Sequence, residues 1–239
     1  MTSESAPIAA ALQAVLGSVF PHSRPMTRTA MTAAASVRSY RPGEEIINQG
    51  DETSLALVLD GHVALRRTTP DGRQVIVRIV DQGELASVLP LAARPAAADA
   101  VALTHTPVAL WRGRDIRSLA ESDAGLAIEL MDHVLLAFEE MASRLEGLLY
   151  QDAPRRVARV LHRHSDLFFC EAPVLTRRHL PLLVGTSREM TGRVLRVLES
   201  RGLVAREGRH GLRLLDPDGL ATAAEHRDER RRTSASTGI

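Results

Sequence analysis

Residues Val184 to Val204 read VGTSREMTGRVLRVLESRGLV, and Thr186 to Arg193 within them spell TSREMTGR. After a break at Gly185 the apolar positions recur three and four apart, which predicts a helix with Met190, Val194, Val197 and Leu198 facing inward. Arg188, Glu189 and Arg193 then share the outward face, and Gly192 leaves room for close approach of another backbone. Upstream, a helix is expected near Arg177 to Val184; downstream, apolar runs flank Glu207 to Gly211 in LVAREGRHGLRLL and predict a β-hairpin. Two short helices, a tight turn and a hairpin describe a winged helix-turn-helix. On such a second helix Arg can bond bidentately to guanine O6 and N7, and Glu can accept from cytosine N4. Hydroxyls at Thr176 and Ser187, with Arg177 and Arg178, could hold phosphates where the two helices start. The same stretch also fits a capped, solvated helix: Thr186 and Glu189 suit a capping box, and Glu189 with Arg193 is an ordinary i,i+4 pair. Spacing alone leaves the two readings balanced.

The charge distribution bears on that choice. All 30 basic residues are Arg, and the net charge is only +1. Residues 152–239 carry 17 Arg against 11 acidic residues, a net +6, whereas residues 1–151 carry 13 against 18, a net −5. A positive C-terminal part suits a polyanionic partner. With 44% hydrophobic and 25% charged residues the chain has the composition of a folded globular protein. No apolar run approaches the roughly 18 residues of a membrane span, and SAPIAAALQAVLGSVF lacks the basic start of a signal peptide. A cytoplasmic protein with no membrane association is expected. Cys170 is the single cysteine, which excludes an intrachain disulfide and any four-thiolate cluster. Beside Phe168 and Phe169 it reads as a small hydrophobe, with a redox-active thiol as the alternative. Nine histidines supply no identifiable axial pair for haem, and no cofactor or metal is assigned.

Further from the opening stretch the texture changes. Residues 1–38 form an extension with one helical patch near Ile8 to Phe20. From Tyr40 short β-rich runs are separated by turns, with Gly50, Gly61, Gly72 and Gly83 each 11 residues apart and Asp71-Gly72 marking a hairpin. This predicts an antiparallel sheet closing into a roll over 39–114. From Asp115 the pattern is helical, and Ala127, Met131, Val134, Phe138, Met141, Leu145 and Leu148 alternate four and three apart for three heptads. Such a seam suits a twin helix across a two-fold axis, and an amphipathic helix packed on its own domain is the alternative. Leu130, Leu135 and Leu136, outside the seam, are expected to cover the roll. Asp152 offers an N-cap with Pro154 in the first turn, so the C-terminal domain is expected at 152–220, and the polar end, 221–239, as a disordered tail.

GTSREMTGRVLRVLESRGLV resembles the recognition-helix segment of the cyclic-AMP receptor protein (CRP/FNR) family of bacterial transcription factors, whose pattern runs G-x-S-R-E-x-x-x-R before an apolar helix. The spaced glycines resemble that family's β-roll, the heptads its dimer helix, and DAPRRVARVL its hinge and first C-terminal helix. The resemblance implies an α+β chain: a cyclic-nucleotide-binding-like β-roll (jelly roll), a long dimerisation helix over 115–151, and a C-terminal winged helix-turn-helix. It implies that Arg188, Glu189 and Arg193 read bases, that Ser187, Thr176 and Arg177 contact phosphates, and that the wing lies at Gly208 and Arg209. It also implies a homodimer on double-stranded promoter DNA, a TGTGA-like palindrome, and RNA polymerase as a partner. Pro181 departs from the pattern, lying several residues into the first helix unless that helix starts late.

The nucleotide cassette departs further. In GELASVLPLAARPAAADAVAL the family's ribose-binding Glu position is Val88, its phosphate-binding Arg is Ala98 and its Ser is Asp99. The two hydroxyl positions on the long helix become Met141 and Ala142, and Arg94 is a nearby candidate substitute. An anionic phosphate beside Asp99 would lose a charge-assisted pair and meet repulsion. Three readings follow: another, more hydrophobic effector, a collapsed cassette in a protein active without ligand, or a nucleotide bound elsewhere. The second is preferred. No nucleophile triad, metal-spaced His cluster or phosphate-cradling Gly loop suggests an enzyme.

Overall fold

The computed structural model describes residues 5–52 and 54–225. The chain divides into two compact units between Ser143 and Arg144, nearer the N-terminus than the expected boundary at Gln151. The cause lies in the last two turns of the long helix, whose side chains belong to the second unit. There the Arg144 guanidinium donates to Leu183 O at 2.8 Å, and Leu148 lies against Gly185.

The first unit opens with α1 (Ser5–Val19) and α2 (Pro25–Ala34), followed by β1 (Ser36–Tyr40), β2 (Glu45–Ile47), β3 (Ser54–Val58), β4 (Val63–Thr68) and β5 (Gln74–Val80). After these come β6 (Leu85–Ser87), a 3-10 turn at Leu89–Ala92, β7 (Asp99–Ala102), β8 (Thr106–Arg112), α3 (Gly113–Ser122) and α4 (Ala124–Tyr150). The strands form two antiparallel sheets, ordered β1-β8-β3-β6 and β2-β7-β4-β5. The four evenly spaced glycines all lie between φ 78° and 93°, the left-handed region that a side chain disfavours, and Gly72 turns the β4–β5 hairpin.

Strand β3 is buried on both faces, because alternate side chains point to opposite sides of the sheet. Ala56 and Val58 meet Val63, Val80 and Val108 between the sheets. Leu55 and Leu57 face a second core, which Leu12, Leu16 and Phe20 of α1, Met31 of α2, Ile116 of α3, and Leu126 and Leu130 of α4 complete. The N-terminal extension is therefore part of the domain. Trp111 is 1% exposed and its indole N–H donates to Met31 O at 2.7 Å, satisfying the polar atom of the largest buried side chain. Asp123 joins the extension to the start of α4, accepting from Arg24 N at 2.8 Å and from Gly125 N at 3.0 Å. A hydrogen bond from the Thr27 side chain holds this buried carboxyl below its ordinary value.

The second unit continues with α5 (Ala153–Arg163), α6 (Ser165–Phe168), α7 (Leu180–Val184), α8 (Arg188–Ser200), the hairpin β9 (Val204–Glu207) and β10 (Gly211–Leu214), and α9 (Pro217–Glu225). The Asp152 side chain caps α5, accepting from Arg155 N at 3.0 Å. Residues 221–225, read from sequence as the start of a tail, belong to α9. Leu220 and Ala224 are buried, and Arg155 Nε donates to Ala224 O at 3.2 Å. The remainder of the expected tail, 226–239, lies outside the described residues. Among the described residues no helix is long and apolar enough to cross a membrane.

Candidate nucleic-acid interface

Helix α7 begins late enough to place Pro181 in its first turn, where no intrahelical donor is needed. It ends at Gly185, whose φ of 68° allows the chain to reverse while Gly185 N and Thr186 N both donate to Pro181 O. The cap of α8 is Ser187 and not Thr186. Its Oγ accepts from Met190 N at 3.1 Å, so the third helical residue is Met190 and no Thr186/Glu189 capping box forms.

The buried stripe of α8 is Thr191, Val194, Leu195 and Leu198, a spacing of three, four and seven. Thr191 lies in it without penalty because its hydroxyl donates to Ser187 O at 3.0 Å. Met190 and Val197, expected inside, are exposed. At about 100° per residue they stand roughly a quarter turn from the stripe. Arg188, Glu189 and Arg193 are exposed, as is Arg196, whose place seven residues after Glu189 puts it on the same outward face. Arg193 and Glu189 form an i,i+4 ion pair in the free protein. A Cβ on Gly192 would meet nothing within 4 Å.

Before α7, Thr176 to His179 form a turn closed twice: His179 N donates to Thr176 O at 2.8 Å, and Thr176 N donates to His179 Nδ1 at 2.9 Å. Burial, then the Arg178 guanidinium, holds His179 below its ordinary value, which keeps Nδ1 an acceptor. The wing turn at Gly208 and Arg209 comes to the same place. Arg177 N donates to His210 O at 3.0 Å, and the Arg177 guanidinium donates to Arg209 O. Arg178 and Arg209 are exposed. Partial burial, then the positive field of Arg178, Arg209 and Arg177, depresses His210. Arg206 Nε to Glu199 Oε1, at 2.7 Å, ties the wing strand back to α8. Thr176, Arg177, Arg178, Gly208 and Arg209 thus converge, with His179 and His210 as members not anticipated from spacing. Histidines carry no periodic signal; their neighbours only become visible once the wing folds back.

Along α4 the seam residues are exposed, among them Met131 at 53%, Phe138 at 68% and Leu145 at 55%, as are Ala127, Val134, Met141 and Leu148 to differing degrees. The face turned to the roll is Leu126, Leu130, His133, Ala137 and Glu140. Leu130 is buried as expected, but Leu135 and Leu136 are exposed: at about 100° per residue Leu135 stands opposite that face and Leu136 about a quarter turn from it.

Under α4 lies a cavity of 140 Å³ with apolar walls from Leu65, Val77, Leu85, Val88 and Met141. Arg78 crosses its polar end, with Nε 2.8 Å from Glu140 Oε2 and Nη2 2.9 Å from Glu84 Oε1. His133 borders it and is held below its ordinary value chiefly by burial. Of the six residues read as a degenerate pocket, Val88 and Met141 line this cavity. Arg94, Ala98, Asp99 and Ala142 do not. Asp99 instead accepts from Arg66 Nη2 at 3.2 Å and Gln49 N at 2.9 Å, inside the β4–β7 pairing. Cys170, read as a packed hydrophobe, is exposed, with Sγ 3.3 Å from Ala172 O; Phe168 takes the buried place.

A helix-turn-helix whose second helix turns Arg and Glu outward, with a basic wing clamped beside it and a β-roll in the same chain, defines a DNA-binding transcriptional regulator. Residues 37–123 match the cyclic nucleotide-binding domain family, and residues 155–223 match the Crp-like helix-turn-helix domain family. The chain belongs to the CRP/FNR family of transcriptional regulators. It is 28% identical over 189 residues to the cAMP-activated global transcriptional regulator Vfr of Pseudomonas aeruginosa, covering 72% of this chain and 86% of that one. It is 25% identical over 216 residues to a CRP-like cAMP-activated regulator of Mycobacterium tuberculosis, covering 86% and 96%. A solved CRP/FNR regulator from Thermus thermophilus superposes with a TM-score of 0.70 at 25% identity, covering 80% of this chain and 100% of that one. These relatives are regulators and not enzymes.

Proposed function

We propose that this regulator binds a palindromic, TGTGA-like promoter site as a homodimer, without needing cyclic AMP. The single observation that carries the last point is the Arg78–Glu140 pair across the cavity. Ligand pockets run to about 300–1,000 Å³, whereas this one measures 140 Å³, near the size that holds a benzene. Among the described residues, the guanidinium lining it already has two carboxylate partners. A cyclic nucleotide would have to displace α4 or break that pair, with no Arg-Ser set to receive its phosphate.

The homodimer reading is supported by the exposed heptad stripe of α4, an apolar surface of the kind that marks an interface. In the DNA complex Arg188, Glu189 and Arg193 read base edges, with the Glu189–Arg193 pair opening to face guanine and cytosine. Ser187, Thr176, Arg178, Arg209 and Arg196 face phosphates, and RNA polymerase is met at the promoter. Titration calorimetry with cyclic AMP and cyclic GMP tests the nucleotide claim. Heat with micromolar affinity at the roll refutes it, and full-affinity binding of a selected palindrome without nucleotide is the expected result. A second reading, gating by an effector other than a nucleotide, rests on the exposed thiol of Cys170 in the same unit as α8. An oxidant-induced change in DNA affinity that Cys170→Ser abolishes would favour it.

A further inference from the structure

Arg177 stands where a phosphate contact is expected, yet its guanidinium is turned toward the protein. Of the two edges of a guanidinium, the one carrying Nε and Nη2 makes the side-on fork that grips a carboxylate or phosphate. Here Nη2 donates to Arg209 O. Among the described residues Nε is buried and has no hydrogen-bond partner, so solvent or a phosphate does not reach it. The backbone of the same residue donates to His210 O at 3.0 Å. Main chain and side chain of Arg177 thus hold two consecutive carbonyls of a turn that is otherwise tied by the β9–β10 pairs and by the Arg206–Glu199 bridge on the strand behind it. Arg178 and Arg209, by contrast, are exposed.

We propose that Arg177 is a positioning residue, a strut that fixes the wing turn so that Arg209 meets the DNA backbone, and not itself a phosphate ligand. A short hairpin loop at the surface keeps conformational freedom, and a partner that binds it must order it. The strut removes part of that ordering before DNA arrives. The inference rests on the DNA-binding reading only for its effect on affinity; the state of the wing in the free protein is independent of it.

The test uses the full chain with Arg177→Ala, Arg209→Ala, the double variant, and Arg178→Ala as a comparison. In the free protein, Arg177→Ala should speed amide exchange at residues 208–211 at least about fivefold while α5 and α8 keep their protection, and Arg178→Ala should not. On DNA, Arg177→Ala should weaken binding about fivefold in the parent and less than about twofold once Arg209 is Ala, because coupled groups are not additive. Arg178→Ala should flatten the log–log salt dependence by about one unit. Unchanged wing exchange overturns the strut, as do additive losses for Arg177 and Arg209. If the parent binds no DNA, the DNA-binding reading falls and the exchange result alone decides the strut.

Discussion

Two sets of arginines, one in each unit, are used in opposite ways. In the helix-turn-helix, Arg188, Arg178 and Arg209 point to solvent, and their charge is available to a partner. In the roll, Arg78 is 16% exposed and lies between Glu84 and Glu140 at the mouth of a small cavity. An exposed guanidinium keeps its hydration and loses it only on meeting a phosphate or base, which makes it a binding residue. A guanidinium taken out of water must be neutralised inside the protein, which makes it part of the structure. Under the proposed function the difference teaches that a chain can keep the reading half of its family's design while the sensing half becomes self-contained.

The largest way to break the comparison lies on α4. Phe138→Asp places a charge in the apolar seam, and a homodimer held there should become monomeric and lose palindrome affinity by about a hundredfold or more; sedimentation and gel shift measure both. An unaltered dimer would remove the seam from the interface. Arg193→Ala should cost about 1–3 kcal/mol on the selected site while relaxing one base pair, read by binding to all four substitutions at each position. A uniform loss across sequences would make Arg193 a phosphate contact. Glu140→Gln sharpens the other side: with one carboxylate gone, the first unit should lose about 1–2 kcal/mol in denaturant unfolding, scaled down from a fully buried pair because the group is partly solvated. Gain of nucleotide binding in this variant would show that the ion pair is the lock.

The smallest effect is the pH dependence. His133 in the roll and His179 before α7 are both held below the ordinary histidine value of 6.5. In each the folded state prefers the neutral ring, so the unfolded chain binds protons first as pH falls. Stability from both should be complete above about pH 7 and decline as pH drops below 6.5 toward the depressed values. Denaturant midpoints followed from about pH 7.5 to about pH 5.5 should fall in both units. A midpoint that rises on acidification contradicts the buried, neutral assignment. Asp123, whose carboxyl is also depressed, should lose its contribution only below 3.8.

What the sequence by itself determined is what short-range rules write: the glycine turns of the roll, the Asp152 cap and the heptad stripe. Each depends on residues a few positions apart, where steric and hydrogen-bond preferences act directly. Even there a stripe read from apolar residues alone was turned by roughly a quarter rotation, because the buried Thr191 bonds its own helix and its burial has no apolar signature. Only the tertiary structure decided the rest. Arg78 meets Glu140 across 62 residues, Trp111 meets Met31 across 80, and Arg177 meets Arg209 across 32. No periodicity encodes such pairs. Whether an arginine faces solvent, a cavity or a wing carbonyl is settled by which distant backbone arrives beside it, and that follows from the packing of whole elements.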